Sequence, residues 1–238
     1  MAGAVAIVGY RPGGPSISHI VEGAAATSLQ SCALTPRDIE DPGFVDGMPN
    51  RSDIRADWAD GSVGEGIPLR LDLHVYHISD DGCSPLSGAQ VNVWNCDARG
   101  IYSEDLGAGT EGRTFLRGYQ LADEHGAVEF VTVYPGWYPG RTSHIHFKVR
   151  TFAGPEPIFD FTSQFYFDDA ISDEVLRLSP YAAKGPKDVT NGRDGFFRNR
   201  SVDGRVLENM GAQLMLDLSR EEEGYVGRFN IGLDLSSP

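Results

Sequence analysis

Residues 69–78 read LRLDLHVYHI. Leu69, Leu71, Leu73 and Val75 fall on one side of an alternation, with Arg70, Asp72, His74 and Tyr76 on the other. Successive side chains of a strand point to opposite faces, so this is a half-buried strand. The same period recurs outward from it. AQVNVWNC (89–96) sets Val91 and Val93 against Asn92 and Trp94. ADEHGAVEFVTVYPGWY (122–138) opens on a turn at Asp123–Gly126 and runs on as a strand. HIHFKVRTF (144–152) and FTSQFYFD (161–168) read as two more strands. DDGCSPLSGA (80–89), dense in turn residues, reads as a loop. DEVLRLSPYAA (173–183) allows a helical turn or two ending near Pro180, and residues 206–219 and 224–236 read as a closing hairpin. Short strands between turns, with little helical period, predict an all-β chain, an antiparallel β-sandwich with little helix.

Composition sets the bounds. The 238 residues are 40% hydrophobic and 23% charged, as in globular domains, and 29 Gly with 14 Pro exceed what a helical bundle tolerates. A chain of this length can bury about 70% of its unfolded surface, so it needs no disulfide or metal merely to fold. A net charge of −14 repels a phosphate backbone, so nucleic acid is not an expected partner. No run of about 18 apolar residues and no basic amphipathic stretch points to a membrane.

Residues 1–60 are low in periodicity and read as an irregular N-terminal arm wrapping a sandwich of residues 61–238, with one short helix near residues 17–30. MAGAVAIVGYRPGG (1–14) lacks a basic leader region, so it does not read as a secretory signal, and a cytoplasmic location is favoured. Cys32, Cys83 and Cys96 are too few for a disulfide scaffold. Cys83 and Cys96 flank one strand and allow a single bridge. Three reduced thiols are the alternative.

His144 and His146 sit at i and i+2 of a strand, so both imidazoles share a face and Ile145 takes the other. Two imidazoles on one face are half of a metal site. Just upstream, Tyr134, Trp137, Tyr138 and Arg141 lie in one Gly/Pro-shaped loop, YPGWYPGR, rigid enough to hold a phenol beside them. Tyr102 lies in another turn, GIYSED. Taken singly, each tyrosine reads as a core aromatic with a bonded hydroxyl. Two histidines with two phenols suit a hard trivalent ion, since ionising a phenol needs a strong nearby cation. Fe(III) fits that better than Zn(II). The chain has no C-x-x-C, H-E-x-x-H or H-x-D/E, which argues against zinc motifs and a two-histidine, one-carboxylate Fe(II) site. His74 and His77, three apart in a strand, face opposite sides and read as structural or surface residues. His19 and His125 read the same way.

GIPLRLDLHVY (66–76), PLSGAQVNVWNCDARGIYS (85–103), TFLRGYQLADEHGAVEFVTVYPGWYPGRTSHIHFKV (114–149) and TSQFYFDD (162–169) occur in that order. Together they resemble the intradiol ring-cleavage dioxygenases, the family of protocatechuate 3,4-dioxygenase and catechol 1,2-dioxygenase. Weaker similarity runs through SPYAAKGPKDVTNGRDGFF (179–197), and ALTPRDIEDPGF (33–44) resembles the opening segment of the short single-domain members. About three quarters of the chain is covered. The resemblance implies a β-sandwich holding a non-haem ferric ion on Tyr102, Tyr138, His144 and His146. It implies that Arg141 is the active-site arginine and Gln164 the glutamine beside the pocket. The implied reaction opens a catechol-type ring between its two hydroxylated carbons with O2, giving a cis,cis-muconate-type diacid. In that setting Tyr138 can leave the ion and take a substrate proton, Arg141 can stabilise developing charge, and Tyr134 and Trp137 can wall the ring plane, with plain packing as the alternative for both. No helical dimerisation domain or second homologous chain is implied, so a monomer or homodimer is expected.

Two other readings compete. PLSGAQVNVW followed by DEHGAVEFVTVYPGWY also fits a prealbumin-like binding module in which the histidines are structural. An iron enzyme could instead act on a polycyclic diphenol in secondary metabolism.

Overall fold

The computed structural model describes residues 32–40, 43–202, 205–208 and 210–236. The short helix expected near residues 17–30, and His19, lie outside them. Two β-sheets enclose one apolar core. The first is built on β1 (Pro68–Ser79). Along one edge β1 pairs in parallel with β11 (Tyr225–Leu233), which pairs in turn with β10 (Asp217–Arg220). The other edge of β1 takes β5 (Ala127–Val133) along its first half and β2 (Gly82–Pro85) along its end. The second sheet runs β4 (Arg117–Leu121), β3 (Gln90–Trp94), β6 (His144–Ala153) and β7 (Glu156–Tyr166), all antiparallel. Among the described residues helix is confined to α1 (Asp169–Val175), α2 (Gly195–Arg198) and a few 3-10 turns, and β8 (Asn199–Val202) pairs with β9 (Arg205–Glu208) as a small hairpin.

The alternation that predicted the strands also builds the core. Leu69, Leu71, Leu73 and Val75 of β1 meet Val91, Val93, Ile145, Phe147, Val149, Phe161 and Phe165 of the second sheet, all buried. Each such side chain contributes about 1.5–3 kcal/mol by leaving water. The all-β sandwich is what the pattern predicts, with one parallel pairing, β1 to β11, that periodicity alone does not reveal. The closing hairpin is β10–β11, whereas residues 206–208 pair with β8, because Met210–Leu214 turn as a 3-10 helix and break the run. DDGCSPLSGA is only partly a loop, since Gly82–Pro85 folds back on β1.

The described residues between 32 and 66 form no long strand and run over both sheets. Thr35 N–H donates to Gly232 O on β11, Asp38 N–H to Thr162 O on β7, and Leu116 N–H to Ile54 O. Ile39 and Phe44 come to lie on the outer face of the second sheet, over Gln164 and Trp94. This cover explains why β6 is buried on both faces from His144 to Arg150.

The cysteine expectation is corrected. Cys83 is bonded to Cys32, and Cys96 is a buried free thiol. Cys83 lies in β2 on the first sheet, whereas Cys96 follows β3 in the second, beneath Trp94 and Tyr102. Burial pushes the Cys96 thiol up to about 12, so it is inert. Disulfides such as Cys32–Cys83 persist in oxidising compartments and are rare in the cytosol. The bridge spans a sequence separation of 51, which in the loop-closure picture restricts the unfolded chain by about 4 kcal/mol. A Cys32→Ser/Cys83→Ser chain is therefore expected to lose about 2–4 kcal/mol in denaturant unfolding without losing its fold. An unfolding midpoint insensitive to both the variant and a reductant would show that the bridge contributes nothing.

Candidate metal centre

The second sheet presents its core face inward and, by parity, His144 and His146 outward. Register fixes their neighbours. Trp94 of β3 lies directly across from His146, and Gln164 of β7 lies across on the other side. Arg117 of β4 continues the row beyond Trp94, and Tyr166 sits opposite His144. The Trp94 indole stacks on the His146 ring at 5.0 Å and 8°, fixing its plane.

Two loops bring the phenols to this face. Tyr138-Pro139-Gly140-Arg141 is a β-turn, with Arg141 N–H donating to Tyr138 O at 3.2 Å. Proline at the second position and a glycine with φ +84° at the third are the marks of a type II turn. The turn sets Tyr138 and Arg141 three residues apart on one side of the site. The Tyr102 loop is shaped by Asp97, whose carboxylate accepts the N–H groups of Arg99 and Ile101. The two loops touch at Gly136, where a Cβ would meet the carbonyl oxygens of Ala98 and Asp97 at 2.6 and 2.7 Å. Any larger residue there would separate the two tyrosines.

The result is a tight convergence. Tyr138 Oη lies 3.0 Å and Tyr102 Oη 3.5 Å from His144 Nε2, and the two histidine Nε2 atoms are 3.1 Å apart. His144 donates its Nδ1–H to Thr142 O at 2.7 Å, which leaves the Nε2 lone pair free to face the other donors. Burial, aided by the charge of Arg141, holds His144 well below the usual imidazole pKa. Burial, then His144 and Arg141, do the same for His146. Burial, then the neighbouring Tyr138, drives Tyr102 well above the usual phenol pKa. By themselves these rings are neutral. A cation among them would reverse that preference for a phenol.

The donor set fits a metal. Nitrogen and oxygen ligands bound at about 2.0–2.1 Å to one ion stand about 3 Å apart, which is the spacing found here. Two imidazoles and two ionisable phenols suit a hard trivalent cation such as Fe(III). Among the described residues no group of three His, Cys, Asp or Glu side chains gathers as a rival metal site.

Arg141 is 5% exposed. Its Nη1 lies 3.5 Å from Tyr138 Oη, and its Nη2 donates to Gln164 Oε1. Burial works against its charge, but Tyr138, Tyr166 and Asp194 outweigh that and hold its pKa above the ordinary arginine value. Gln164 also accepts from Tyr166 Oη at 3.1 Å, and Tyr166 donates to Asp38 of the arm at 3.0 Å.

Tyr102, Tyr138, Arg141, His144, His146 and Gln164 thus come together. Tyr134 does not: of the two roles expected for it, substrate wall or plain packing, its position is that of packing, which corrects the first. It keeps the parity of Val128 and Phe130 just past β5, so its ring enters the core 4.4 Å from Phe167 and its hydroxyl bonds Ser172 Oγ. Trp137 donates its indole N–H to Gly185 O and lies under the Lys184 ammonium, so these contacts hold it to the 184–185 turn. His74 and His77 stay on β1, half-buried and apart from the site. Sequence reasoning missed Trp94, Tyr166 and Asp194. Trp94 was within reach, because its parity in β3 is that of the outward face. Asp194 lies in a polar run with no periodic signal.

A dioxygenase family model matches residues 39–187, well over half of the chain. Catechol 1,2-dioxygenase of Candida albicans is 33% identical over 107 residues, covering 37% of this chain and 35% of that protein. The catechol 1,2-dioxygenase of Acinetobacter baylyi is 34% identical over 104 residues, covering 44% and 32%. The chain thus spans about a third of the length of these curated relatives. Among solved structures, an intradiol ring-cleavage dioxygenase from Tetranychus urticae superposes with a TM-score of 0.70 at 29% identity, covering 86% of this chain and 96% of that one.

The neutral histidines carry a pH prediction. In the unfolded chain both imidazoles titrate near about 6.5, and in the folded metal-free chain they do so lower. Below that pH the unfolded state binds protons the folded state refuses, so stability is full above about pH 7 and falls as pH drops through 6.5. The slope is at most about 1.4 kcal/mol per pH unit for each histidine. Urea unfolding of metal-stripped protein between pH 7.5 and 5.5 should show this decline, and His144→Asn/His146→Gln should flatten it. A wild-type midpoint constant over that range would contradict the burial argument.

Proposed function

The chain belongs to the intradiol ring-cleavage dioxygenase family, and from that premise we propose that it opens a catechol-type ring between its two hydroxylated carbons with O2 to give a cis,cis-muconate-type diacid. Tyr102, Tyr138, His144 and His146 would hold a non-haem ferric ion. The observation that carries this reading is the meeting of two phenol oxygens and the His146 Nε2 within 3.0–3.5 Å of the His144 Nε2, with a buried guanidinium alongside.

When bound, a ferric ion would supply Lewis acidity toward a catechol-type substrate. The chain supplies the rest. Tyr138 is half-buried whereas Tyr102 is sealed at 3% exposure, so Tyr138 is the phenol with room to move aside. Its freed oxygen is suited to take the proton of an arriving substrate hydroxyl. Arg141, beside that oxygen, offers permanent positive charge where negative charge grows on the substrate. Gln164 and Tyr166 hold the far corner of the guanidinium. Trp94, with Phe44 tilted against it, keeps water from the back of His146. Four polar rings crowded at one buried point are costly for a chain that only folds, which argues against a plain binding scaffold.

Purified protein is expected to be coloured and to carry about one iron per chain, because phenolate bound to a ferric ion absorbs visible light. Oxygen uptake with substituted catechols and larger diphenols, followed by product mass analysis, tests the reaction. Gain of two oxygen atoms in an acyclic diacid supports it and identifies the preferred ring. Tyr138→Phe should weaken colour and turnover while the chain stays folded, and Arg141→Ala should lower kcat by about 10²–10³. A colourless protein that stays inactive after iron reconstitution would remove the reading.

A further inference from the structure

Asp194 is fully buried, just ahead of α2. Every lone-pair direction it offers toward the protein is used. Oδ2 accepts Arg141 Nε–H at 2.9 Å and Thr142 N–H at 3.0 Å. Oδ1 accepts the N–H groups of Phe196 and Phe197 at 2.8 and 3.3 Å. Asp194 grips only the Nε edge of the guanidinium. Nη1 and Nη2 remain free to face Tyr138 and Gln164. Phe196 closes the face of the guanidinium, its ring centroid 4.5 Å from Cζ. The segment bearing Asp194 is tied down in turn. Thr142 Oγ1 donates to Asn191 Oδ1, and the Asn191 amide donates to Phe167 O.

We propose that Asp194 is a positioning residue for ring cleavage: its carboxylate, with the Phe196 ring, orients the Arg141 guanidinium so that the Nη edge faces the reacting centre. The inference rests on the function proposed above. The physical need is clear. A buried guanidinium left without partners is strongly unfavourable, and a flexible one contributes little to a transition state whose charge is localised. An arginine gripped at one edge and covered on one face has few orientations left.

The test combines kinetics with a measurement on the metal-free chain. In Asp194→Asn, iron content and colour should stay within about 20% of wild type and anaerobic substrate affinity within about threefold, while kcat falls about 10–100-fold. In an Arg141→Lys background the same substitution should change kcat by less than about threefold, because the group it orients is gone. A merely structural role would give the same loss in both backgrounds. In 15N-labelled metal-free protein, the Arg141 Nε–H signal, assigned by its loss in Arg141→Lys, should exchange slowly in wild type and rapidly in Asp194→Asn. If Asp194→Asn does not fold, Asp194→Glu, which keeps the charge and shifts its reach, is read against the same expectations. A variant as fast as a ring-opening wild type, or an Nε–H equally protected in both, overturns the proposal. A wild type that binds no iron and opens no catechol overturns the proposed function instead, and the exchange measurement still decides whether Asp194 holds Arg141.

Discussion

Everything in the site follows from the parity of one strand. β6 must send Ile145, Phe147 and Val149 into the core, and that obligation turns His144 and His146 to the opposite face. A slip of one residue would bury both imidazoles among Leu71, Val93 and Phe165 and turn the isoleucine toward the phenols. The apolar core therefore sets the register, and the register sets the site. Cross-strand pairing then decides the company of each histidine. Trp94 and Gln164 flank His146 because β3 and β7 are hydrogen-bonded to β6 at those positions.

An outward face would normally meet water, and here it does not. The arm and the loops cover it, so the polar rings are buried without belonging to the core. Such a site is tolerable because burial keeps its histidines and Tyr102 neutral and its buried arginines are well partnered. His144 gives its Nδ1–H to a carbonyl, and Arg141 has Asp194. Arg117, also buried, donates to Ser103 O and Oγ and to Gly43 O and has its pKa lowered to about 10 by that burial. Unsatisfied, any of these would oppose folding by several kcal/mol.

The parts legible in the sequence were those governed by period two. β1, β3, β5, β6 and β7 follow from alternation, and the shared face of His144 and His146 from their spacing. The YPGR turn could be read because proline and glycine mark type II geometry at fixed positions. What stayed hidden depended on contacts between distant segments. Nothing local pairs Cys32 with Cys83, sends β11 alongside β1 in parallel, or brings Asp194 to Arg141 across 53 residues. For Tyr134 the sequence leaves substrate wall and packing both open, because its neighbours in the loop are functional types, while its own parity belongs to the strand before it. Proximity in sequence to a candidate site is a weaker rule than the alternation that buries it.

The two tyrosines stand differently in the same rigid frame. Tyr102 is enclosed by Trp94 and Cys96, and its carbonyl accepts from Thr110, so its loop is pinned on several sides. Tyr138 stands on a two-residue turn tip, half-exposed, with Pro139 and Gly140 open to solvent. The same turn nevertheless fixes Arg141 firmly, because the arginine is gripped from the far side by Asp194 and Gln164. Tyr138 is thus the half-exposed phenol between two buried points. Local opening belongs at exposed positions set in well-packed surroundings. In the proposed reaction, the phenol that would release an ion and accept a proton is the exposed one, and the guanidinium that would stay fixed is the buried one.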